Sequence, residues 1–291
     1  MILIVGGTGT LGRITAQMLL EQALPVRVMA RNTDKAAELR HLGAEVVQGD
    51  LTDRASLERA CEGVEKIFSA AHGLLGRGKN ASLWVDDRGH RQLIDIAAKN
   101  GVQHFVYTSV LGVRADHPVA FCRTKYAVEE YLRQSGLSFT ILRPSAFFLP
   151  HATLVGEPIL QKGKTNVLGQ GDAVRNLVAP EDVAAFAVMA LTDERLRGET
   201  IPIGGPDNLS NNQVATLYGK IAGVQPKISH LPRGVLRVMG TLIRPFHPGI
   251  SNIMRWSLYS DTVEEPFDNS ATLQKYPVQM TNLEDWARKR L

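Results

Sequence analysis

MILIVGGTGTLGRITAQMLL, residues 1–20, sets a short apolar run, a glycine triplet and an amphipathic pattern in immediate succession. Met1 to Val5 read as a buried strand. Over Leu11 to Gln22, Leu11, Ile14, Met18 and Leu19 recur on one helical face. Between the two, Gly6, Gly9 and Gly12 stand at G-x-x-G-x-x-G spacing, with Thr8 and Thr10 interleaved. A strand, a glycine turn and a helix in that order is the arrangement that holds a pyrophosphate. One glycine turns tightly, one lets the backbone approach the phosphates and one lets helix and strand pack closely, while the first helical amides face the anion.

The alternation of short apolar runs and amphipathic stretches continues to about Pro144. Further strands are expected at Pro25 to Met29, Glu45 to Gln48, Lys66 to Ala70, His104 to Thr108 and Phe139 to Leu142. Helices are expected over Ser56 to Cys61, Arg88 to Asn100 and Arg123 to Gln134. Six strands joined by helices predict an α/β fold: a Rossmann-type, doubly wound parallel sheet whose ligand lies beyond the carboxyl ends of the strands. Past Pro150 the alternation loosens around two helical stretches, Pro180 to Leu191 and Asn211 to Ile221. The expected division is a dinucleotide-binding domain over 1–150 and a smaller α+β substrate lobe over 151–291, packed on it and not folding separately.

The bulk figures exclude more than they identify. The 291 residues carry 33 basic and 29 acidic side chains, a formal charge of +4, which gives no argument for nucleic acid. Two cysteines, Cys61 and Cys122, are too few for a disulfide framework and lack metal-ligand spacing. No metal site is expected, and the histidines show no H-E-x-x-H pattern. The longest apolar runs, such as Val183 to Leu191, fall far short of the roughly 20 residues of a membrane helix. With no leader apparent, the cytoplasm is the expected compartment.

Cofactor choice is read at the end of the second strand. Arg31 stands there, with Asn32 beside it and Lys35 one turn on, where an acidic residue would favour an unphosphorylated ribose. A planar guanidinium suits a 2′-phosphate, so NADP(H) is expected over NAD(H). Asp50 in GDLTD, with Leu51, faces the expected adenine position, although Asp50 or Asp53 could equally cap the next helix. Ala70, Ala71 and His72 fall beside the ribose. Pro144, Ser145, Phe147 and Phe148 follow the sixth strand, where nicotinamide and substrate should meet.

Taken together, VGGTGTLGR (5–13), Arg31, QGDLTD (48–53), FVYTSVLG (105–112), FCRTKYAVEEYLRQSGLSFTILRP (121–144), VAPEDVA (178–184) and FDNSATLQKY (267–276) resemble the NmrA-like group of atypical short-chain dehydrogenase/reductases. Isoflavone-reductase-like enzymes, NADPH quinone reductases and triphenylmethane reductases are similar in this pattern. The resemblance implies a serine, a tyrosine and a lysine as catalytic residues, the last two spaced Y-x-x-x-K. Ser109 and Lys125 match, but the tyrosine position is Phe121.

Phenylalanine carries no proton to give, so ordinary ketone chemistry loses its acid. Tyr126, about 100° further round the helix, points away from the face that Phe121 and Lys125 share. Two outcomes follow from the resemblance: a reductase passing hydride to a small planar acceptor such as a quinone or enone, or a dinucleotide-binding redox sensor or assembly factor without turnover. The expected partner is a small molecule, and the oligomeric state is left open between a monomer and a homodimer built on the helices around Arg88 to Asn100 and Arg123 to Gln134. LPRGVLRVMGTLIRPFHPG (231–249) reads as a basic amphipathic helix ended by Pro245 and Pro248, a lid or packing helix, with a membrane surface or a dimer contact as the competing readings.

Overall fold

The computed structural model describes residues 1–291. Its strands are β1 (Ile2–Val5), β2 (Val26–Ala30), β3 (Glu45–Gln48), β4 (Lys66–Ser69), β5 (His104–Thr108), β6 (Phe139–Pro144), β7 (Ala146–Phe147), β8 (Lys164–Leu168), β9 (Arg175–Val178), β10 (Thr200–Ile203), β11 (Asp207–Leu209) and β12 (Lys227–Leu231). The helices are α1 (Thr10–Glu21), α2 (Ala37–His41), α3 (Arg54–Cys61), α4 (His90–Lys99), α5 (Ala120–Gln134), α6 (Phe148–His151), α7 (Glu157–Lys162), α8 (Pro180–Thr192), α9 (Asn211–Ala222), α10 (Arg233–Ile243), α11 (Pro248–Ser260), α12 (Ser270–Lys275) and α13 (Leu283–Arg288).

Seven strands form the main sheet in the order β10-β6-β5-β4-β1-β2-β3. The pairs from β6 through to β3 are parallel, with Ile2 opposite both Val26 and Lys66. Strand order reverses between β1 and β4, the place beyond whose strand ends doubly wound sheets bind their ligands. β1 is buried at all four positions and β5 at all five, as strands covered on both faces must be. Their apolar runs, and the helical face of Leu93, Ile94 and Ala97, meet in one core with Leu57, Phe105 and Ile141.

The chain divides into two compact units, Met1–Arg143 with Val183–Ile201, and Pro144–Asp182 with Pro202–Leu291. A single boundary at residue 150 does not describe this division: the chain leaves the first unit at Pro144 and returns for most of α8. The second unit has its own core, in which Phe148 stacks edge-on against Trp286, their centroids 5.6 Å apart. Asn176 fastens its loops. Its Oδ1 accepts from Ser145 Oγ and Gly205 N, and its Nδ2 donates to Asn208 Oδ1 and the Phe267 carbonyl.

Two expected helices differ at their ends. The stretch expected from Arg88 begins earlier, in a π-helical turn at Leu83–Gly89 that runs directly into α4. The basic stretch 231–249 stops at Ile243, and Pro248, expected to end it, instead opens α11 in the first turn, where its missing N–H costs nothing. No helix is long and apolar enough to cross a membrane.

Candidate functional site

The glycine loop is held to a shape that side chains would destroy. Gly6 has φ +90°, and a Cβ there would stand 2.7 Å from the Ala71 nitrogen. A Cβ on Gly12 would lie 2.4 Å from the Gly6 carbonyl oxygen. Gly7, which the triplet does not count, is as tight, with Val28 Cγ1 at 2.6 Å from such a Cβ. Gly9 closes the turn by donating its amide to the Gly6 carbonyl at 3.0 Å. It is also the residue before α1 and supplies no side-chain cap, and the first turn of α1 holds no acidic residue. The leading amides at Thr10, Leu11 and Gly12 therefore lack intrahelical acceptors and face an unneutralised positive helix end. Gly9 and Thr10 are exposed, Thr8 is half-buried, and Leu11 and Gly12 are buried.

At the end of β2, Arg31 is exposed and donates from Nη1 to Asn80 Oδ1 at 2.7 Å. Together with Gly49, Asp50, Asp53 and Arg59 it lines a cavity of about 590 Å³. Asn32 Oδ1 accepts from the Asp34 amide and caps the short turn that follows, while Lys35 stands exposed and its backbone carbonyl accepts from Arg13. Asp50 Oδ1 accepts from both the amide and hydroxyl of Thr52 at 2.9 Å, and the cap of α3 is Asp53. Leu51 is buried beneath Gly89, where a Cβ would meet it at 3.0 Å.

A second cluster forms around Lys125, on the buried face of α5. Its ammonium donates to the Thr108 carbonyl at 3.1 Å and lies 4.8 Å from the centre of the Tyr107 ring and 5.5 Å from that of Phe121. Asp86, fully buried in the π-helical turn, stands 3.8 Å from it through Oδ1, while its Oδ2 accepts from Gly73 N at 3.0 Å. Burial pulls the Lys125 ammonium below its ordinary pKa, and the carboxylates of Asp86 and Glu129 oppose that pull. His90 is enclosed beside it, its ring nitrogens on Ser69 Oγ and the Val85 carbonyl, and burial holds it at about 4.

Several buried polar atoms of this cluster are unusual in lacking a hydrogen-bond partner. Asp86 Oδ1, Tyr107 Oη, Thr108 Oγ1 and Ser109 Oγ make no hydrogen bond. Such atoms are rare in folded proteins, and a group of them marks a place where a ligand or water completes the bonding. A dinucleotide fits these residues: a cradle only glycine can line, an open helix end for the pyrophosphate, and unpartnered hydroxyls beside a buried ammonium.

Contacts tie the two regions together, since Ala71 touches Gly6, Gly73 meets Asp86 and Asp86 faces Lys125. Ala70 continues β4 by donating to the Val5 carbonyl, and His72 meets Phe121 edge-on at 6.4 Å. Phe121 is buried and Tyr126 is turned to a half-exposed face. Pro144, Ser145 and Phe147 belong to the second unit, where the Ser145 hydroxyl is taken up by Asn176. Asp86 was not among the expected residues. Its signal is helical: with His90, Leu93 and Ala97 it recurs on the apolar face of one helix, where a lone carboxylate is out of place.

The family model for NAD(P)H-binding proteins matches residues 6–194. An NAD(P)H azoreductase of Xenophilus azovorans is 33% identical over 225 residues, covering 77% of this chain and 74% of that one. The Photosystem II assembly factor Ycf39 of Synechocystis sp. is 29% identical over 248 residues, covering 84% and 74%. Among solved structures, an NADPH-dependent quinone oxidoreductase of Escherichia coli, complexed with NADPH, superposes with a TM-score of 0.80 over 99% of both chains at 24% identity, a likeness of fold. With its glycine cradle, parallel sheet and buried lysine, the chain belongs to the NAD(P)H-binding, NmrA-like group of atypical short-chain dehydrogenase/reductases.

Proposed function

We propose that the protein is an NADPH-dependent reductase that delivers hydride to a small, planar, electron-poor acceptor such as a quinone or enone. The observation that carries this reading is the buried Lys125 ammonium, set among unpartnered hydroxyls at the carboxyl end of β5, with a phenylalanine in the tyrosine position. The bound nicotinamide supplies the hydride. The α1 amides and the Gly6–Gly12 cradle hold the pyrophosphate, Arg31 holds the 2′-phosphate, and Lys125 with Ser109 orients the ribose hydroxyls. Asp50 and Leu51 are proposed to border the adenine.

Phe121 offers no acid, so the substrate must be one that tolerates late protonation. Conjugated acceptors meet that requirement, because the added electron pair is spread over the π-system until a proton arrives. Lys125 Nζ is the ammonium of the cluster, and burial makes it a stronger acid than a free lysine. The azoreductase relative supports a planar acceptor of this kind.

NADPH should bind at least tenfold more tightly than NADH in a fluorescence titration, and Arg31→Ala should erase most of that preference. Against a panel of quinones, enones and azo compounds, NADPH oxidation should be detectable and should fall at least a hundredfold in Lys125→Ala. The second reading, a dinucleotide-binding assembly or regulatory factor, is favoured by Phe121 and by the assembly-factor relative. Tight NADPH binding with no turnover across the whole panel would decide for it.

A further inference from the structure

The helix α10 turns a greasy face to solvent. Val238, Leu242 and Phe246 are 58%, 68% and 79% exposed, and Val235 and Met239 are exposed beside them. At roughly 100° per residue, Val235, Val238, Met239 and Leu242 span only about 100° of arc. Phe246 extends the stripe, its amide bonded back to the Ile243 carbonyl. The helix already has an inner face: Leu236 and Gly240 are buried, the latter against Met254 of α11. The outer stripe is therefore not the face that folds the unit. Singly exposed apolar residues are ordinary, whereas a contiguous stripe of five marks an interaction surface.

The segment that builds it carries charge of one sign. From residue 208 to residue 260 there is no Asp or Glu, while Lys220, Lys227, Arg233, Arg237, Arg244 and Arg255 supply six positive charges. Arg233 is paired with Asp261 and Lys220 with Glu284. Arg237, Arg244 and Arg255 are exposed on α10 and α11.

We propose that the outer face of α10 docks on an anionic lipid surface. Val238, Met239, Leu242 and Phe246 sink into the headgroup boundary, and Arg237, Arg244 and Arg255 reach the lipid phosphates. An apolar stripe on a helix whose remaining exposed side is basic is the composition of an interfacial helix. Arginine's long stem lets the charge reach headgroups from beside or above the stripe, and the attraction acts over about 8 Å, comparable to the width of a helix. At 11 residues, α10 lies on a bilayer and cannot span one.

The test is co-sedimentation of the full chain with vesicles of phosphatidylglycerol and phosphatidylcholine, beside vesicles of phosphatidylcholine alone. Binding to the anionic vesicles should be at least tenfold stronger and should weaken severalfold on raising salt from about 0.1 M to about 0.5 M. The surface variant Val238→Glu/Leu242→Glu/Phe246→Glu should abolish it, and Arg237→Glu/Arg244→Glu should weaken it at least fivefold, both with NADPH binding intact. Absence of binding to anionic vesicles overturns the proposal, as does equal binding to neutral ones. Self-association in analytical ultracentrifugation that the triple variant removes, without vesicle binding, would instead make the stripe an interface between copies. Because NADPH binding and turnover are read separately, failure here leaves the reductase reading standing, and the reverse.

Discussion

Lys125 and Asp86 show what a single buried charge demands of its surroundings. Each alone would cost several kcal/mol to bury, and each is the other's compensation. Asp86→Asn should therefore destabilise the protein by about 3–5 kcal/mol in urea unfolding, with Lys125→Met in the same chain recovering most of the loss. A change under about 1 kcal/mol would mean that the pair is not coupled as its 3.8 Å separation indicates. At Gly12 the requirement is steric. The Cβ of Gly12→Ala must push the Gly6 carbonyl aside, so NADPH affinity should drop at least tenfold, about 1.4 kcal/mol, in the fluorescence titration.

At the scale of elements, two helix starts show opposite solutions to the same problem. α1 begins after Gly9 with no side-chain cap, leaving amides for a ligand. α9 begins with a complete capping box, in which Ser210 Oγ accepts from the Gln213 amide and the Gln213 side chain accepts from the Ser210 amide. That helix is closed to ligands and stabilised locally. Ser210→Ala should cost about 1 kcal/mol in thermal or urea unfolding and leave NADPH affinity unchanged. A shift in affinity would show that α9 serves the cofactor site after all.

Across the whole molecule, burial leaves an acid-sensitive signature. His90, His104 and His151 are each lowered from 6.5 to about 4, with desolvation the largest cause in every case. Their folded forms stay neutral where the unfolded chain would take up protons. The stability this gives is fully present above pH 6.5 and is lost as pH falls toward 4. From His90 alone the loss should reach about 2 kcal/mol by pH 5, so the urea midpoint should fall between pH 7 and pH 5. A midpoint that stays level across that interval would refute the burial-driven shift.

Residues close together along the chain settle part of this architecture among themselves. The strand–glycine–helix start, the six parallel strands, the Phe121 gap and Arg31 at the end of β2 are all set by spacing within a few turns of chain. Tertiary structure decided what depends on residues far apart. Asp86 meets Lys125 across 39 positions, Val183–Ile201 returns to the first unit after the chain has left it, and the stripe on α10 stays exposed because α11 covers its other side. Periodicity can say that a face is apolar or that a carboxylate interrupts one. Only the packed chain assigns that face a neighbour, because burial and charge pairing are properties of the space between elements and not of any element alone.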